Sequence, residues 1–333
     1  MIKLKEMTPG LVSVIIPTFK RSRNLKLAIN SILNQTYTKI EIIVVDDNND
    51  CDEYREATSQ MMKEFELNPK VKYLKHHKNQ NGSAARNTGI LESSGEFLAF
   101  LDDDDLSMPD RISKSVQYLK SSNNIVGAVC VNYVKRWKTY VYKSGQGANE
   151  YCNCYELLSK KADLAPGSTI MYKRTCIEKI GLYDITYRKH QDWEYLIRLF
   201  RLYKLVVIDD IEVIICPGVM GGRPNIDIVK KMKDKLFDDF SVDISSLGYA
   251  KEKEIKKVQW IDIYLGYISS RCYSKANRFR KKYKKDLSIS ASDAIKILQA
   301  FIEGIYPGSL KIIYMFYNYR RKDLRSYRNI LQY

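Results

Sequence analysis

Short apolar segments rich in Val and Ile alternate with segments of helical periodicity over the first 120 residues. The apolar segments are residues 12–17, 40–45, 71–74 and 96–101. Between them, apolar residues recur every three or four positions, as in residues 25–33. Strands that alternate with helices favour a doubly wound, mainly parallel sheet covered on both faces. Ligands of such α/β sheets bind beyond the carboxyl ends of the strands.

The positive charge of the chain is concentrated in its last third. The 333 residues have a net charge of +16, and residues 226–333, with 23 Lys and Arg against 12 Asp and Glu, account for +11 of it. Apolar residues at helical spacing recur in residues 260–268 and 294–305. We therefore predict an α/β domain over residues 1–225 and a basic, all-helical domain over residues 226–333.

The composition excludes several classes of protein. Hydrophobic residues make up 45% of the chain and charged residues 28%, which is typical of a globular protein. No uninterrupted apolar stretch approaches the length of about 18 residues that a membrane span needs. The seven Cys are scattered, with no Cys-x-x-Cys pair, so we expect reduced thiols in a cytoplasmic protein and neither a zinc site nor a disulfide scaffold.

Four consecutive aspartates, residues 102–105, follow the fourth apolar segment. Adjacent carboxylates repel each other, and Mg²⁺ or Mn²⁺ would relieve that repulsion with the oxygen ligands that these ions prefer. The alternative is a solvated acidic turn before a helix, where Asp is also favourable. The position directly after a buried strand favours the metal site.

Three weaker signals accompany the aspartates. Asp46 and Asp47 end the second strand, where they can accept hydrogen bonds from a nucleoside or cap the next helix. Arg86 lies in a segment of small residues and can contact diphosphate oxygens. Asp192 begins a predicted helix, where it can serve as a general base or only complement the helix dipole.

Taken in order, these motifs resemble a known family. The segments 14–21, 44–47, 82–87, 100–105 and 191–194 resemble the family 2 glycosyltransferases in sequence and spacing. The resemblance covers residues 10–225 and implies the GT-A fold, an α/β fold with a mixed, mainly parallel sheet. It carries no information about the sugar or the acceptor.

The resemblance also implies roles for individual residues on the donor side. Pro17, Thr18 and Arg21 would line the nucleotide pocket. Asp47 would hold the uracil or ribose, supported by Asp46. The remaining implied donor contacts are Arg86 at the diphosphate, Asp102 at the ribose or metal waters, Asp103 in the middle of the D-x-D motif, and Arg223 at the diphosphate from a Gly-rich loop.

On the catalytic side, the resemblance implies that Asp104 binds Mn²⁺ or Mg²⁺ and that Asp192 is the catalytic base, with Trp193 and Glu194 shaping the acceptor side.

The chain departs from the family pattern in two respects. Asn48 and Asn49 replace the Ser that usually follows the first acidic pair, and no His follows His190 to serve as a further metal ligand.

The reaction that the resemblance implies is an inverting, metal-dependent transfer of a hexosyl or N-acetylhexosaminyl group. The donor would be a nucleotide-diphosphate sugar, most often UDP-linked. The acceptor would be a hydroxyl of a carbohydrate or lipid-linked precursor of a capsule, O-antigen, exopolysaccharide or teichoic acid, and the product would be β-linked.

The basic run of residues 271–285 contains eight Lys and Arg. We expect it to dock on an anionic membrane surface or a polyanionic acceptor, and the alternatives are a solvated helix face and a contact in a homo-oligomer. Docking on a membrane would make this a cytoplasmic protein that is held peripherally at the inner face of the cell membrane.

Two other classes of function compete with a glycosyltransferase. The net positive charge suggests a nucleic-acid-binding protein, but no helix-turn-helix, zinc-finger or RNP signature is present, so we expect no nucleic acid as partner. A catalytically inactive relative could act as a scaffold, although the chain retains both Asp104 and Asp192.

Overall fold

The computed structural model describes residues 4–137, 140–144, 151–216, 225–284 and 290–305. Its strands, in chain order, are β1 (Thr8–Thr18), β2 (Ile40–Asp46), β3 (Val71–Lys75), β4 (Gly95–Phe100), β5 (Leu106–Ser107), β6 (Val126–Trp137), β7 (Tyr140–Ser144), β8 (Tyr151–Cys152), β9 (Ile170–Lys173) and β10 (Lys204–Ile215). All of them belong to one sheet.

Helices connect and cover these strands. The helices before residue 225 are α1 (Ser22–Leu33), α2 (Glu53–Met62), α3 (Gly82–Glu92), α4 (Arg111–Ser121), α5 (Cys154–Leu158), α6 (Pro166–Thr169), α7 (Arg174–Ile180) and α8 (Gln191–Phe200). The later helices are α9 (Ile226–Asp239), α10 (Ser241–Ser245), α11 (Tyr249–Ser269), α12 (Tyr273–Lys282) and α13 (Ala291–Ile305). None of the helices in the described ranges is both long and apolar enough to cross a bilayer.

The sheet is mixed and contains two parallel groups of strands. Its order is β3-β2-β1-β4-β9-β6-β10-β5, with β7 paired to β6 and β8 paired to β10. The first four strands are parallel to each other, and β6 is parallel to β10. Strand β9 is antiparallel to both of its neighbours and joins the two groups. The predicted α/β architecture is confirmed.

Alternate residues of the central strands bury against opposite faces of the sheet, as pleated geometry requires. Ile15 of β1 packs into the core cluster on one face, whereas Val14 and Ile16 pack into the cluster on the other. All three side chains are fully buried. Burial of one such side chain contributes about 1.5–3 kcal/mol to stability, so both faces fix the register of β1.

Three local details complete the description of the elements. Pro166 starts helix α6, because its fixed φ suits a first helical turn, and strand β9 begins at Ile170. Strand β10 contains a register shift at the two aspartates between Ile208 and Ile211. Pro109 precedes α4, whose N-cap is Asp110.

The helices after residue 225 pack on the sheet domain and on each other. Helix α9 begins at Ile226, where the helical domain is predicted to start. Leu236 and Phe240 of this part join the core cluster that contains Tyr195, whereas Trp260 and Phe279 form a separate cluster. The division into two domains stays a prediction. All seven cysteines carry free thiols, as their scattered spacing predicts.

Candidate active site

The carboxyl ends of β1, β2 and β4 bring the predicted donor-side residues to one edge of the sheet. In the register of the parallel strands, Thr18 is paired with Asp46, and Ile15 is paired with Phe100, two residues before Asp102. The backbone N–H of Asp47 donates to the Thr18 carbonyl at 2.9 Å. Pro17, the predicted pocket residue before Thr18, is paired with Val45 and partly buried.

The four consecutive aspartates have three sets of partners. Asp102 accepts a hydrogen bond from Arg86 at 2.7 Å. Arg21 donates to Asp103 at 3.2 Å and to Asp104 at 2.5 Å. Asp105 accepts hydrogen bonds from the Ser168 hydroxyl at 2.5 Å and from the Cys216 backbone N–H at 2.9 Å.

Donors of the chain itself therefore relieve part of the repulsion for which the sequence suggests a metal ion. Two arginines form ion pairs with three of the carboxylates, and neutral donors stabilise the fourth. Asp103 also accepts from the Thr18 hydroxyl at 2.7 Å, so this aspartate ties β4 to β1. Asp102 is the most exposed of the four, with 40% of its side chain accessible.

Burial changes the protonation of the acidic run. It raises the pKa of Asp103 to about 7, against the opposing effects of the Thr18 hydroxyl and the Arg21 charge. It also raises the pKa of Asp104, which Arg21 again opposes, and raises the pKa of Asp105 well above its ordinary value. Burial thus opposes the ionisation of these three carboxyl groups, whereas the Arg21 charge favours it at Asp103 and Asp104.

The absence of a side chain at Gly167 leaves room for the Asp102 carboxylate. A Cβ atom at residue 167 would lie 2.7 Å from an Asp102 carboxylate oxygen, which is closer than real contacts allow. The neighbouring Ser168 hydroxyl accepts the Asp102 backbone N–H at 3.0 Å and donates to Asp105. Helix α6 therefore helps to position the acidic run.

Asp46 and Asp47 lie at the end of β2 and are both buried. Asp46 pairs with the buried Arg55 at 3.3 Å and accepts a hydrogen bond from the Tyr73 hydroxyl. The Asp47 carboxylate accepts the backbone N–H groups of Gln80 and Asn81 at 2.8 and 2.9 Å. It is also hydrogen-bonded to the side chains of His76 and Asn79. Asp47 therefore fixes the loop that leads into α3.

Asn48, one of the two departures from the family pattern, has a structural use. Its side chain donates to Asp46 at 2.8 Å and accepts the backbone N–H of Lys20 at 3.0 Å. Lys20 has a left-handed backbone with φ of 62° and lies in the turn after β1. The Asn48 amide thus joins the end of β2 to the turn that carries Arg21.

Arg86 is the buried positive charge of the site. It lies on α3 with its guanidinium 5.9 Å from the centre of the Tyr183 ring. Asn87, the next residue, accepts the Tyr183 backbone N–H at 2.8 Å and donates to its carbonyl at 2.9 Å. Although burial lowers the pKa of Arg86, the carboxylates of Asp192 and Asp102 raise it above its ordinary value. Arg86 is therefore always charged and lies near both acids.

Asp192 has the environment of a general base. One of its carboxylate oxygens is buried and, within the described part of the chain, has no hydrogen-bond partner. Burial raises the pKa of Asp192, the Arg86 charge lowers it, and the Asp102 charge raises it. An unpaired oxygen of raised basicity, close to the charged groups of the donor side, is suited to accept a proton from a substrate hydroxyl.

The two residues that follow Asp192 are placed differently from each other. The Trp193 ring is partly buried, with its centre 4.6 Å from that of His190. Glu194 is buried, and both of its oxygens accept hydrogen bonds from Arg198, one of them at 3.0 Å. Arg198 in turn donates to the carbonyls of Ile180 and Leu182. Glu194 thus has a structural partner, whereas Trp193 borders the base. Arg223 lies outside the described residues.

The four aspartates at residues 102–105, with Asp46 and Asp47 beside them, form an acidic edge of the sheet. This acidic edge fits a cation that arrives together with a diphosphate. Among the residues in the described ranges, no three or more His, Cys, Asp and Glu side chains are arranged to hold a metal ion. Asp102 and Asp104 can supply one or two carboxylates, which is what Mg²⁺ uses when phosphates and water complete its shell. The donor set therefore fits a metal shared with the substrate and does not fit an all-protein cage.

Comparison with protein families identifies the chain. A model described as "Glycosyl transferase family 2" matches residues 13–181, just over half of the chain. The chain belongs to glycosyl transferase family 2. The match includes the ends of β1, β2 and β4, Arg86 and helix α6, whereas Asp192 lies beyond it.

Several curated relatives share this part of the sequence. An uncharacterized glycosyltransferase of Haemophilus influenzae is 29% identical over 195 residues, which are 57% of this chain and 62% of the relative. The uncharacterized glycosyltransferase YwdF of Bacillus subtilis is 26% identical over 228 residues, 68% of this chain and 81% of the relative. A longer one, from Rickettsia bellii, is 36% identical over 114 residues, but the match spans only 16% of its length.

Solved structures share the fold of this family 2 chain. S. aureus TarS 1–349 in complex with UDP-GlcNAc aligns with 96% of this chain and 90% of its own, with a TM-score of 0.54 and 14% identity. The mannosyltransferase PcManGT from Pyrobaculum calidifontis, in complex with GDP-Man and Mn²⁺, aligns with 89% of this chain and 87% of its own, with a TM-score of 0.57 and 15% identity. The predicted GT-A fold is confirmed.

Several residues that hold the candidate site in place were not predicted from the sequence. They are Arg55, Tyr73, His76, Gly167, Ser168 and Tyr183. Arg55 and His76 are buried polar residues that organise the end of β2, and Tyr183 stacks on Tyr195 with ring centres 4.0 Å apart beside Arg86. The pair of residues Gly167 and Ser168 follows Pro166, and that turn signal is the only sequence feature that marks the segment.

Proposed function

We propose that this chain is an inverting glycosyltransferase that transfers a sugar from a nucleotide-diphosphate donor to an acceptor hydroxyl. The observation that carries the proposal is the buried, unpartnered carboxylate oxygen of Asp192, close to Arg86 and to the acidic edge. A single base that takes one proton from the acceptor suits one displacement at the anomeric carbon. Such a displacement converts an α-linked donor into a β-linked product.

The donor is a UDP-linked sugar in this proposal. Its base and ribose would lie between the turn after β1 and the end of β2, where Arg21 and Asp47 are found. The diphosphate would lie near Arg86, whose charge is permanent. Family 2 membership supports a nucleotide sugar, and structures of the same fold are complexes with UDP-GlcNAc and GDP-Man. The sugar itself stays open between a hexose and an N-acetylhexosamine.

Asp104, assisted by Asp102, would hold Mn²⁺ or Mg²⁺. Such an ion, when bound, offsets the negative charge that grows on the departing diphosphate. Arg21 now donates to Asp104, so donor binding would let Arg21 share its hydrogen bonds between this carboxylate and a phosphate oxygen. Arg86 stabilises the same charge from the buried side.

Asp192 would take the proton of the acceptor hydroxyl as its oxygen attacks. The raised pKa of this carboxyl makes it a better base than an ordinary Asp, and Trp193 beside it offers a ring on which a sugar can stack. Family 2 membership supports an acceptor that is a precursor of a capsule, O-antigen, exopolysaccharide or teichoic acid. Asp192 and Arg86 hold acceptor and donor in line, which can supply a large part of the rate.

The proposal is tested by measuring UDP release from a panel of UDP-sugars in the presence of Mn²⁺ or Mg²⁺. Hydrolysis of the correct donor gives a signal even without an acceptor. We expect one donor to be preferred and Asp104→Asn to lose metal-stimulated release. We expect Asp192→Asn to lose most of the additional release that an acceptor supports.

The control for both variants is Asp238→Asn, which neutralises an exposed aspartate on α9 and should leave release unchanged. Release that survives in both Asp104→Asn and Asp192→Asn would refute the assigned roles. Calorimetric binding of UDP with no release from any donor would identify the chain as an inactive relative.

A further inference from the structure

Helix α12 separates two grooves of opposite character on the surface of the C-terminal helices. One groove, of about 380 Å³, is apolar and is lined by Tyr264, Ile268, Tyr273, Ile297 and Phe301. The other, of about 300 Å³, is lined by four cationic side chains, Lys230, Lys275, Arg278 and Lys282, together with Tyr267 and Tyr283. Apolar and cationic surfaces therefore adjoin along one ten-residue helix.

The apolar side continues onto helix α13 as an exposed stripe. Ile295, Leu298, Phe301 and Ile305 recur at intervals of three or four residues and are each at least 42% exposed. Phe301 also lies beside Tyr273, with ring centres 5.8 Å apart, which connects the stripe to the first turn of α12. A contiguous exposed apolar surface of this kind marks an interaction site.

The cationic side has two positive charges without an ion-pair partner in the described part of the chain. Lys230 and Lys275 form ion pairs of 2.5 Å with Asp234 and Asp227. Arg278 and Lys282 form no ion pair with any described residue, and α12 itself contains no acidic residue. The net positive charge of this surface calls for an anionic partner.

We propose that α12 and α13 dock on an anionic lipid bilayer. The exposed stripe would enter the boundary between headgroups and acyl chains, and Arg278 and Lys282 would lie among the lipid phosphates. Helices that lie in a membrane surface combine an apolar face with Lys and Arg, and tyrosines such as Tyr273 and Tyr283 prefer that boundary. This inference goes beyond the proposed transfer reaction, since membrane binding needs neither donor nor acceptor.

Charge argues against two other occupants of this surface. A second copy of the chain would place its own α12 cations near those of the first, which is unfavourable. Residues 306–333 contain six Lys and Arg against one Asp, so this segment would add positive charge to a surface that is already positive. A layer of anionic phospholipid supplies both the negative charge and the apolar phase that the two grooves require.

The test is co-flotation of the full chain with vesicles of phosphatidylcholine alone or with added phosphatidylglycerol. We expect binding to the anionic vesicles only, and weaker binding as the salt concentration rises. Neutralising both free cations in Arg278→Gln/Lys282→Gln should weaken partitioning roughly thirtyfold, given the usual contribution of each cation near a membrane surface. Leu298→Ser/Phe301→Ser should weaken it by about tenfold or more.

Matched controls change equivalent residues elsewhere. Lys63→Gln/Lys120→Gln removes two exposed cations from the sheet domain, and Leu67→Ser removes an apolar side chain that is 97% exposed. Both controls should bind like the parent chain, and all variants should keep its thermal unfolding and its hydrolysis of the donor. Loss of donor hydrolysis with intact flotation would count against the proposed transfer reaction and not against membrane binding.

Equal binding to neutral and anionic vesicles, or no effect of the α12 and α13 substitutions beyond that of the controls, would overturn the proposal. So would a decrease in the molecular mass measured by light scattering in Leu298→Ser/Phe301→Ser, because a second copy would then cover the stripe. We expect light scattering to give the same molecular mass for the parent chain and for this variant.

Discussion

The Arg86 guanidinium donates a hydrogen bond of 2.7 Å to Asp102. The same buried charge also lowers the pKa of Asp192, which burial raises. One arginine on α3 thus connects the acidic edge at the end of β4 with the first turn of α8. In the proposed reaction, this connection places the leaving diphosphate and the proton acceptor on either side of one fixed positive charge.

Replacement of the base should separate binding from chemistry. In Asp192→Asn, the shape and the helix start are retained but the proton acceptor is lost, so kcat for transfer should fall by about 10²–10⁴-fold. The affinity for UDP, measured by calorimetry, should stay within a factor of about three, because the carboxylate is not among the proposed donor contacts. A variant that loses UDP binding as well would place Asp192 on the donor side instead.

The pH profile should report the charge of Arg86. A base acts only when deprotonated, so activity is lost as the pH falls through the pKa of Asp192. In Arg86→Gln the charge that lowers this pKa is gone, and the acidic limb of kcat/KM should move to higher pH by about one unit or more. Arg21→Gln, which removes a charge that faces Asp103 and Asp104, should leave that limb in place. A limb that moves equally in both variants would argue against Asp192 as its source.

The close approach of Gly167 to Asp102 can be tested with one methyl group. In Gly167→Ala, the new Cβ would lie 2.7 Å from a carboxylate oxygen, so Asp102 must turn away from its position beside Arg86. We expect KM for the donor to rise about tenfold or more, since a displaced carboxylate of this kind costs about 1–3 kcal/mol.

Gly127→Ala is the matched control, because its Cβ would lie 2.7 Å from the Tyr203 side chain, and the atoms nearest to it belong to Tyr203 and Cys176 and not to a carboxylate. It should lower the unfolding temperature without changing KM. A rise of KM in this control would mean that general destabilisation explains both variants.

Glu194 should matter for stability and not for the acceptor. Its carboxylate is buried against Arg198, which holds the carbonyls at the end of α7. Glu194→Gln keeps the shape but weakens this pair, and we expect a loss of about 1–3 kcal/mol in the free energy of unfolding. KM for the acceptor should not change, whereas it should rise in Trp193→Ala. An effect of Glu194→Gln on acceptor KM alone would restore its predicted place in the acceptor site.

The sequence predicts the part of the site that local patterns determine. Apolar β-branched segments end at Thr18, Asp46 and Phe100, and parallel pairing then brings these ends to one edge. The start of α8 at Gln191 follows from its amphipathic pattern, so Asp192 lies in a first helical turn as expected. What each carboxylate contacts was not predictable from this pattern.

Contacts between residues distant in the chain decide the rest. Ser168 holds Asp102 across 66 positions of sequence, and Asn87 holds Tyr183 across 96. No periodicity encodes such pairs, because they depend on how the antiparallel strand β9 and helix α6 are inserted beside β4. The Glu194–Arg198 pair is different, since its spacing of four residues within a helix was a readable signal.

The most direct test of the account is the structure of the chain bound to UDP and Mn²⁺, with the metal located by its anomalous scattering. We predict the nucleotide at the ends of β1 and β2, the metal between Asp104 and the diphosphate, and the Asp192 carboxylate facing the space where the sugar would be attached. A nucleotide bound elsewhere, or an Asp192 side chain turned away from the diphosphate, would contradict the account.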